Sequence, residues 1–144
     1  MRVTIRRARV TDAGRVAELS GQLGYPATRK QMTARLKEVL RRKDGACFVA
    51  ESAELGVMGW VHVSANALLE TERRAEVNGL VVDEVGRSMA VGKFLLDAAE
   101  KWAKGMKCKS MSVRSNVVRE RAHGFYERNG YEHYKTQKAF RKKI

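Results

Sequence analysis

The chain has one proline and two cysteines in 144 residues. Cys47 and Cys108 show no paired spacing, which argues against a disulfide framework or a zinc site and suits two reduced, structural thiols. Nowhere does an apolar run approach the roughly 20 residues that cross a bilayer, and the basic opening from Met1 to Val10 lacks the apolar stretch of a signal peptide. A cytoplasmic protein without a membrane partner is the expectation. Aromatic residues are scarce at 7%. No zinc-finger, RNP-type or basic-zipper pattern accompanies them, which disfavours nucleic acid as the partner. Acidic residues are outnumbered as well, sixteen against twenty-nine Lys and Arg, leaving a formal charge of +13 at pH 7. That excess draws anions to the surface, but it is spread along the whole chain rather than gathered in one stripe.

What is present describes a folded globule. Apolar residues make up 44% and charged residues 31%, and the length suits one domain spanning residues 1–144 that buries its core without staples. Val3, Ile5 and Ala8 alternate with Arg as on a half-buried strand. Thr11 is placed to cap a helix running to about Leu23, with Val16, Leu19 and Leu23 at helical spacing. After Gly24-Tyr25-Pro26, Thr28 and Gln31 form a capping-box pattern ahead of Met32, Leu36, Val39 and Leu40. Cys47 to Ala50 and Val57 to Val63 read as an antiparallel pair, and Glu76 to Val82 as the most apolar strand. Val91, Leu95, Ala98, Ala99 and Trp102 mark one face of a helix ending near Gly105. Met111 and Val113 suggest a further strand, Ala122, Phe125 and Tyr126 the inner face of a shorter helix closing at Gly130, and Tyr131 to Tyr134 and Ala139 to Lys142 two final strands. The order describes a mixed sheet with helices on its faces, α/β or α+β.

The chemistry is concentrated where the most apolar strand turns into its helix, at Asp83-Glu84-Val85-Gly86-Arg87-Ser88-Met89-Ala90-Val91-Gly92-Lys93. Such a turn aims unpaired backbone amides and the positive end of the helix dipole at one point, which suits a phosphate. Gly92 lets an anion approach the backbone, Ala90 is the next smallest choice, and Arg87 and Lys93 add positive charge. A plain loop leading into a helix is the competing reading. Two phosphate motifs fail here: five residues separate Gly86 from Gly92 where a P-loop needs four, with Phe94 in place of Ser or Thr, and a dinucleotide fingerprint needs three glycines in register.

Arg87-Ser88-Met89-Ala90-Val91-Gly92 resembles the signature loop of the GNAT N-acetyltransferases: Arg or Gln, two residues, Gly, one residue, then Gly or Ala. Ala122-His123-Gly124-Phe125-Tyr126-Glu127-Arg128-Asn129-Gly130-Tyr131 is similar to the family's last helix and strand. Two departures stand out: Ala90 replaces the first glycine, and Arg119 stands where many relatives carry Asn, with Asn116 a turn earlier. The resemblance implies an α/β (α+β) fold, a mostly antiparallel central sheet of six to seven strands with about four helices. It also implies acetyl transfer from acetyl-CoA to a primary amine by direct attack, with no metal. By the same resemblance, Arg87, Ser88, Met89, Ala90, Val91, Gly92 and Lys93 would hold the pyrophosphate. The backbone of Leu80, Val81 and Val82 would pair with the pantetheine arm, and Asn116, Arg119, Ala122 and Phe125 would line the cofactor further on.

Gly79 inside an apolar strand suggests a bulge or close backbone approach that splays this strand from the one near Met111 to Arg114, although Asn78-Gly79 also reads as a hairpin turn. Acetyl transfer needs an uncharged amine, hence a general base. Glu76 is the candidate, with Asn78 on its face unless a bulge intervenes; a solvated strand-edge carboxylate is the plainer reading. His62 and His123 are alternative relays. Tyr126 matches the family's proton donor to the departing thiolate, and core packing beside Phe125 is its other role. The amine pocket is expected from Gly21 to Lys30 and from Ser64 to Arg74, and the amine itself is open between a small molecule and a protein. A homodimer is plausible by resemblance. The alternative function is a basic, non-catalytic module of the same shape docking on RNA, ribosome or an acidic protein.

Overall fold

The alternation of Val3 and Ile5 with polar residues yields β1 (Val3–Arg7), the edge strand of a five-stranded sheet. A computed structural model describes residues 2–115 and 119–144, with Ser88 and Met89 by their backbone alone. The chain divides into two compact units, Met1–Val113 and Arg114–Ile144.

In the first unit β1 pairs with β2 (Gly45–Ser52), β2 with β3 (Gly56–Asn66) and β3 with β4 (Arg74–Val82), all antiparallel; β4 pairs in parallel with β5 (Met111–Val113). One face is covered by α1 (Ala13–Gln22) and α2 (Arg29–Arg41). Val16, Leu19, Met32 and Leu36 close over Cys47, Val49, Val57 and Val81, with Trp60 at the margin. The other face carries α3 (Val91–Gly105), which buries Val91, Leu95, Leu96, Ala99 and Ala103 against β2, β3 and β4. Each such Val or Leu contributes about 1.5–3 kcal/mol by leaving water.

The capping box at α2 is formed as expected. The Gln31 amide donates to Thr28 Oγ1 at 3.0 Å and the Thr28 amide to Gln31 Oε1 at 2.9 Å. Thr11 is not a cap. It lies in a 3-10 turn, Val10–Asp12, where Asp12 Oδ2 accepts the Arg9 amide at 2.7 Å. Arg6 holds both Asp12 oxygens at 2.9 Å and reaches Glu51 at 3.1 Å, a clamp between β1, β2 and the start of α1, where no side chain caps the helix. Burial opposes ionisation of Asp12, but the Arg6 and Arg9 hydrogen bonds outweigh it and keep its carboxyl below the usual range.

The second unit holds α4 (Glu120–Arg128), which presents Ala122, Phe125 and Tyr126 half-buried and ends through Gly130 at φ 89°. The Gly130 amide returns to the Glu127 carbonyl at 3.1 Å and the Tyr131 amide to that of Tyr126 at 3.0 Å, a glycine-dependent helix stop. The two expected final strands are absent: among the described residues the sheet has five strands rather than six to seven, and everything from Glu132 to Ile144 is exposed and outside any ladder. A β-prone run becomes a strand only where another strand takes its amides and carbonyls. Here His133 Nε2 instead meets the Lys135 carbonyl at 3.1 Å and Thr136 Oγ1 at 3.0 Å, local contacts that compete with extension. Among the described residues no helix is long and apolar enough to cross a membrane.

Candidate functional site

At its C-terminal end β4 leaves the sheet through Asp83, whose amide donates to the Met58 carbonyl at 2.7 Å. Asp83 Oδ1 accepts the Val85 amide at 3.2 Å and opens a 3-10 turn, Glu84–Met89. Gly86 is buried there: a Cβ would meet Met58 Cε at 3.0 Å and Val82 Cγ1 at 3.3 Å, so a side chain would press on both. Ala90 follows in the left-handed region, φ 58° and ψ 20°, and reverses the chain into α3. The amides of Val91, Gly92 and Lys93 lie in the first turn of α3, ahead of the Phe94 amide, which bonds back to the Ala90 carbonyl at 3.1 Å. Fully buried Val91 fastens the helix start to the core, while Arg87 and Ala90 are exposed. The result is a group of amides at a dipole's positive end, the arrangement that receives phosphate oxygens. Lys93 is not a free rim charge, since its Nζ pairs with Asp97 at 2.9 Å.

β4 reaches this turn beyond the end of its pairing with β5. Val61, Trp60 and Gly59 of β3 oppose Leu80, Val81 and Val82, whereas β5 stops at Val113 opposite Val77. The backbone from Gly79 to Val82 therefore has an outer edge without a β5 partner. The hairpin reading of Asn78-Gly79 is overturned, because β4 runs through both residues. The bulge is real but lies between β3 and β4: His62 opposes Gly79, Val63 opposes Val77, and Asn78 is the extra residue. Close approach is real too, with the Trp60 ring occupying the space beside Gly79.

Trp60, His62 and Ser64 alternate onto the face that α1 and α2 cover further along, and Val81, Gly79 and Glu76 oppose them in register. Glu76 is half-buried, opposite Ser64 on one side and Ser112 on the other. The bulge displaces Asn78 from simple alternation, yet its Nδ2 still reaches Ser64 Oγ at 2.9 Å. Ser64 and Asn78 are thus hydrogen-bonded, Glu76 is the register partner of Ser64, and His62 lies two residues before Ser64 on β3. Burial lowers the His62 pKa from the ordinary 6.5, so the ring is neutral near pH 7. Ser64 had no local sequence signal, and it belongs to β3 rather than to the following loop.

Tyr126 lies in α4, edge-on to Phe125 at 5.2 Å and to Tyr131 at 5.8 Å between ring centroids. Burial pushes its phenol up to about 12, so it remains a proton donor over the whole neutral range. Arg119 is the residue before α4, and Ala122 and Phe125 lie on the helix; Asn116 is outside the described residues. Cys47, 3% exposed and pushed up to about 12 by burial, is a core thiol. Among the described residues no group of His, Cys, Asp and Glu side chains is gathered to hold a metal ion.

The model of the acetyltransferase (GNAT) family matches residues 15–131. Among solved structures, a transcriptional regulator from Bacillus halodurans C-125 is 23% identical, with a TM-score of 0.83 over 96% of this chain and 100% of that one. The aminoglycoside 6'-N-acetyltransferase AAC(6')-IG from Acinetobacter haemolyticus is 20% identical, TM-score 0.84, over 98% and 99%. The aminoglycoside N-acetyltransferase AAC(6')-Iy in complex with CoA is 20% identical, TM-score 0.87, over 99% and 96%. Among curated proteins none matches the chain. At these identities the structural likenesses establish the fold.

Proposed function

Because this chain belongs to the GNAT acetyltransferase family, we propose that it transfers the acetyl group of acetyl-CoA to a primary amine, of a small molecule or of a protein, by direct attack. The observation that carries the reading is the turn through Ala90 into α3, set at the end of a strand whose pairing with β5 ends at Val77. The amides of Val91, Gly92 and Lys93, with exposed Arg87, suit a diphosphate, and the backbone of Leu80, Val81 and Val82 suits the amides of a pantetheine arm. From Val82 back to Gly79 is roughly 10 Å of extended strand along which an arm could pair before β5 takes the edge at Val77. The family match runs across both units, which supports one domain over residues 1–144.

Bound acetyl-CoA supplies the thioester; the chain's residues would supply orientation and proton transfer. Alkyl amines are mostly protonated near pH 7, and Glu76 would take the proton that attack requires, directly or through water, with neutral His62 on the same face. Ser64 and Asn78 would orient the acceptor. Tyr126, kept protonated by burial, would give its proton to the departing thiolate. The test is direct titration with acetyl-CoA, followed by thiol release across a panel of amines. Gly92→Val should weaken acetyl-CoA binding while leaving the circular dichroism spectrum unchanged; wild-type affinity in that variant would refute the placement.

One observation favours a second reading, a basic docking module without catalysis. A groove on α2 is lined by Arg29, Lys30, Thr33, Ala34 and Lys37. Salt-dependent binding of an acidic polypeptide or RNA, together with failure to bind acetyl-CoA, would select it.

A further inference from the structure

Arg15, on α1, holds the root of the phosphate-binding turn although it is distant from it in sequence. Its Nη2 pairs with Asp83 Oδ2 and its Nε donates to the Val57 carbonyl at 2.9 Å, while Nη1 pairs with Glu18 at 3.0 Å. Neighbouring Val16 and Leu19 are 2% and 0% exposed, so α1 is a rigid base for this side chain. The turn needs such a base. Glu84, Val85, Arg87 and Ala90 are exposed, and Gly86 and Val91 are buried. Upstream of Gly86 the fixed point is Asp83, which caps the turn by accepting the Val85 amide and, through its carbonyl, the Gly86 amide at 2.9 Å.

The same contact settles an electrostatic conflict. A bare carboxylate at the root of an anion-binding turn repels a diphosphate. Arg15 neutralises it, and the charge of Arg87 also reaches Asp83. Burial of Asp83 opposes its ionisation, but the Val85 amide and the Arg15 guanidinium prevail and hold it ionised.

We propose that Arg15 is a positioning residue for the acetyl donor, clamping and neutralising Asp83 so that the turn from Glu84 to Ala90 presents its amides in a binding-ready form. The proposal rests on the reading of that turn as the acetyl-CoA site. Arg15 does not touch the reacting atoms, so its loss acts on donor binding rather than on the chemical step.

The experiment measures acetyl-CoA affinity by calorimetry and KM and kcat by thiol release, in the wild type, Arg15→Gln, Arg15→Lys, Asp83→Asn and the double variant Arg15→Gln/Asp83→Asn. Arg15→Gln should bind acetyl-CoA about 10-fold more weakly, with kcat and the KM for the amine within about 2-fold of wild type. Arg15→Lys should recover part of the loss, and the double variant should be no weaker than Arg15→Gln alone, because both changes break one contact. Wild-type affinity in Arg15→Gln, losses that add in the double variant, or a fall in kcat at unchanged affinity would each overturn the assignment. If Arg15→Gln fails to fold, Asp83→Asn decides by the same measurement. A wild-type chain that does not bind acetyl-CoA would instead refute the function proposed above.

Discussion

The indole of Trp60 lies against Gly79, so that a Cβ at position 79 would come within 2.7 Å of Trp60 Cη2 and 2.8 Å of Cζ3. The two residues sit on adjacent strands, two residues apart in register, beside the bulge at Asn78. Glycine here makes room for a ring rather than for an unusual backbone. Gly79→Ala should therefore displace the indole and cost about 1–3 kcal/mol, seen as a lower denaturation midpoint and altered Trp fluorescence. An unchanged midpoint would show that the ring moves at no cost.

Ala90 adopts a left-handed conformation that an L-residue with a Cβ enters at a cost of about 1–2 kcal/mol. It is also the N-cap of α3, with no side-chain cap hydrogen bond, a position where glycine outranks alanine. Ala90→Gly is expected to raise stability by about 1 kcal/mol, or roughly 3 °C in Tm. Acetyl-CoA affinity should not fall. A lower Tm would mean that the turn is held in another conformation.

Tyr126→Phe removes the phenolic proton and keeps the ring that meets Phe125 and Tyr131. Turnover should drop by something on the order of 10²-fold with acetyl-CoA binding preserved. Glu76→Gln should lower turnover to a similar degree. Either variant at wild-type turnover removes that residue from the mechanism.

The His62 pKa lies below the ordinary 6.5 because burial disfavours the charged ring. The unfolded chain thus binds a proton that the folded chain resists. Stability is unaffected well above pH 6.5 and declines as pH falls through that value, levelling out once the folded protein also takes the proton. His62→Gln should lose less stability than the wild type between pH 7.5 and pH 5.5 in denaturant titrations. Equal losses would place the acid sensitivity elsewhere, at Asp12 or Asp83, whose depressed carboxyl values make them matter only at lower pH.

Elements with local causes could be read from the sequence. The Thr28–Gln31 box starts α2, the stripe from Val91 to Trp102 forms α3, and the five observed strands follow their apolar runs. Causes that act across the chain left no local trace. Asp12 is tied back to Arg6 and to the Arg9 amide, and Arg15 meets Asp83 across 68 positions. The bulge at Asn78 was foreshadowed by its neighbour Gly79, but only the pairing register shows which strand partner it faces. The last two expected strands failed because β-propensity without a partner's ladder does not make a strand. Of the candidate site, the turn and its two small residues were legible, while Ser64 and the Arg15 clamp required the fold.

Strand order in the sheet follows chain order from β1 to β5. During synthesis each newly emerged strand therefore finds its neighbour already made, and none must wait for a later segment to be slotted between it and its partner. The antiparallel β2–β3–β4 meander has short connections, whereas β5 joins only after the whole of α3 has been spun out. Pulsed hydrogen exchange during refolding should find β2 and β3 amides shielded before those of β5. The latecomer is the strand that stops short, opposite Val77 of β4.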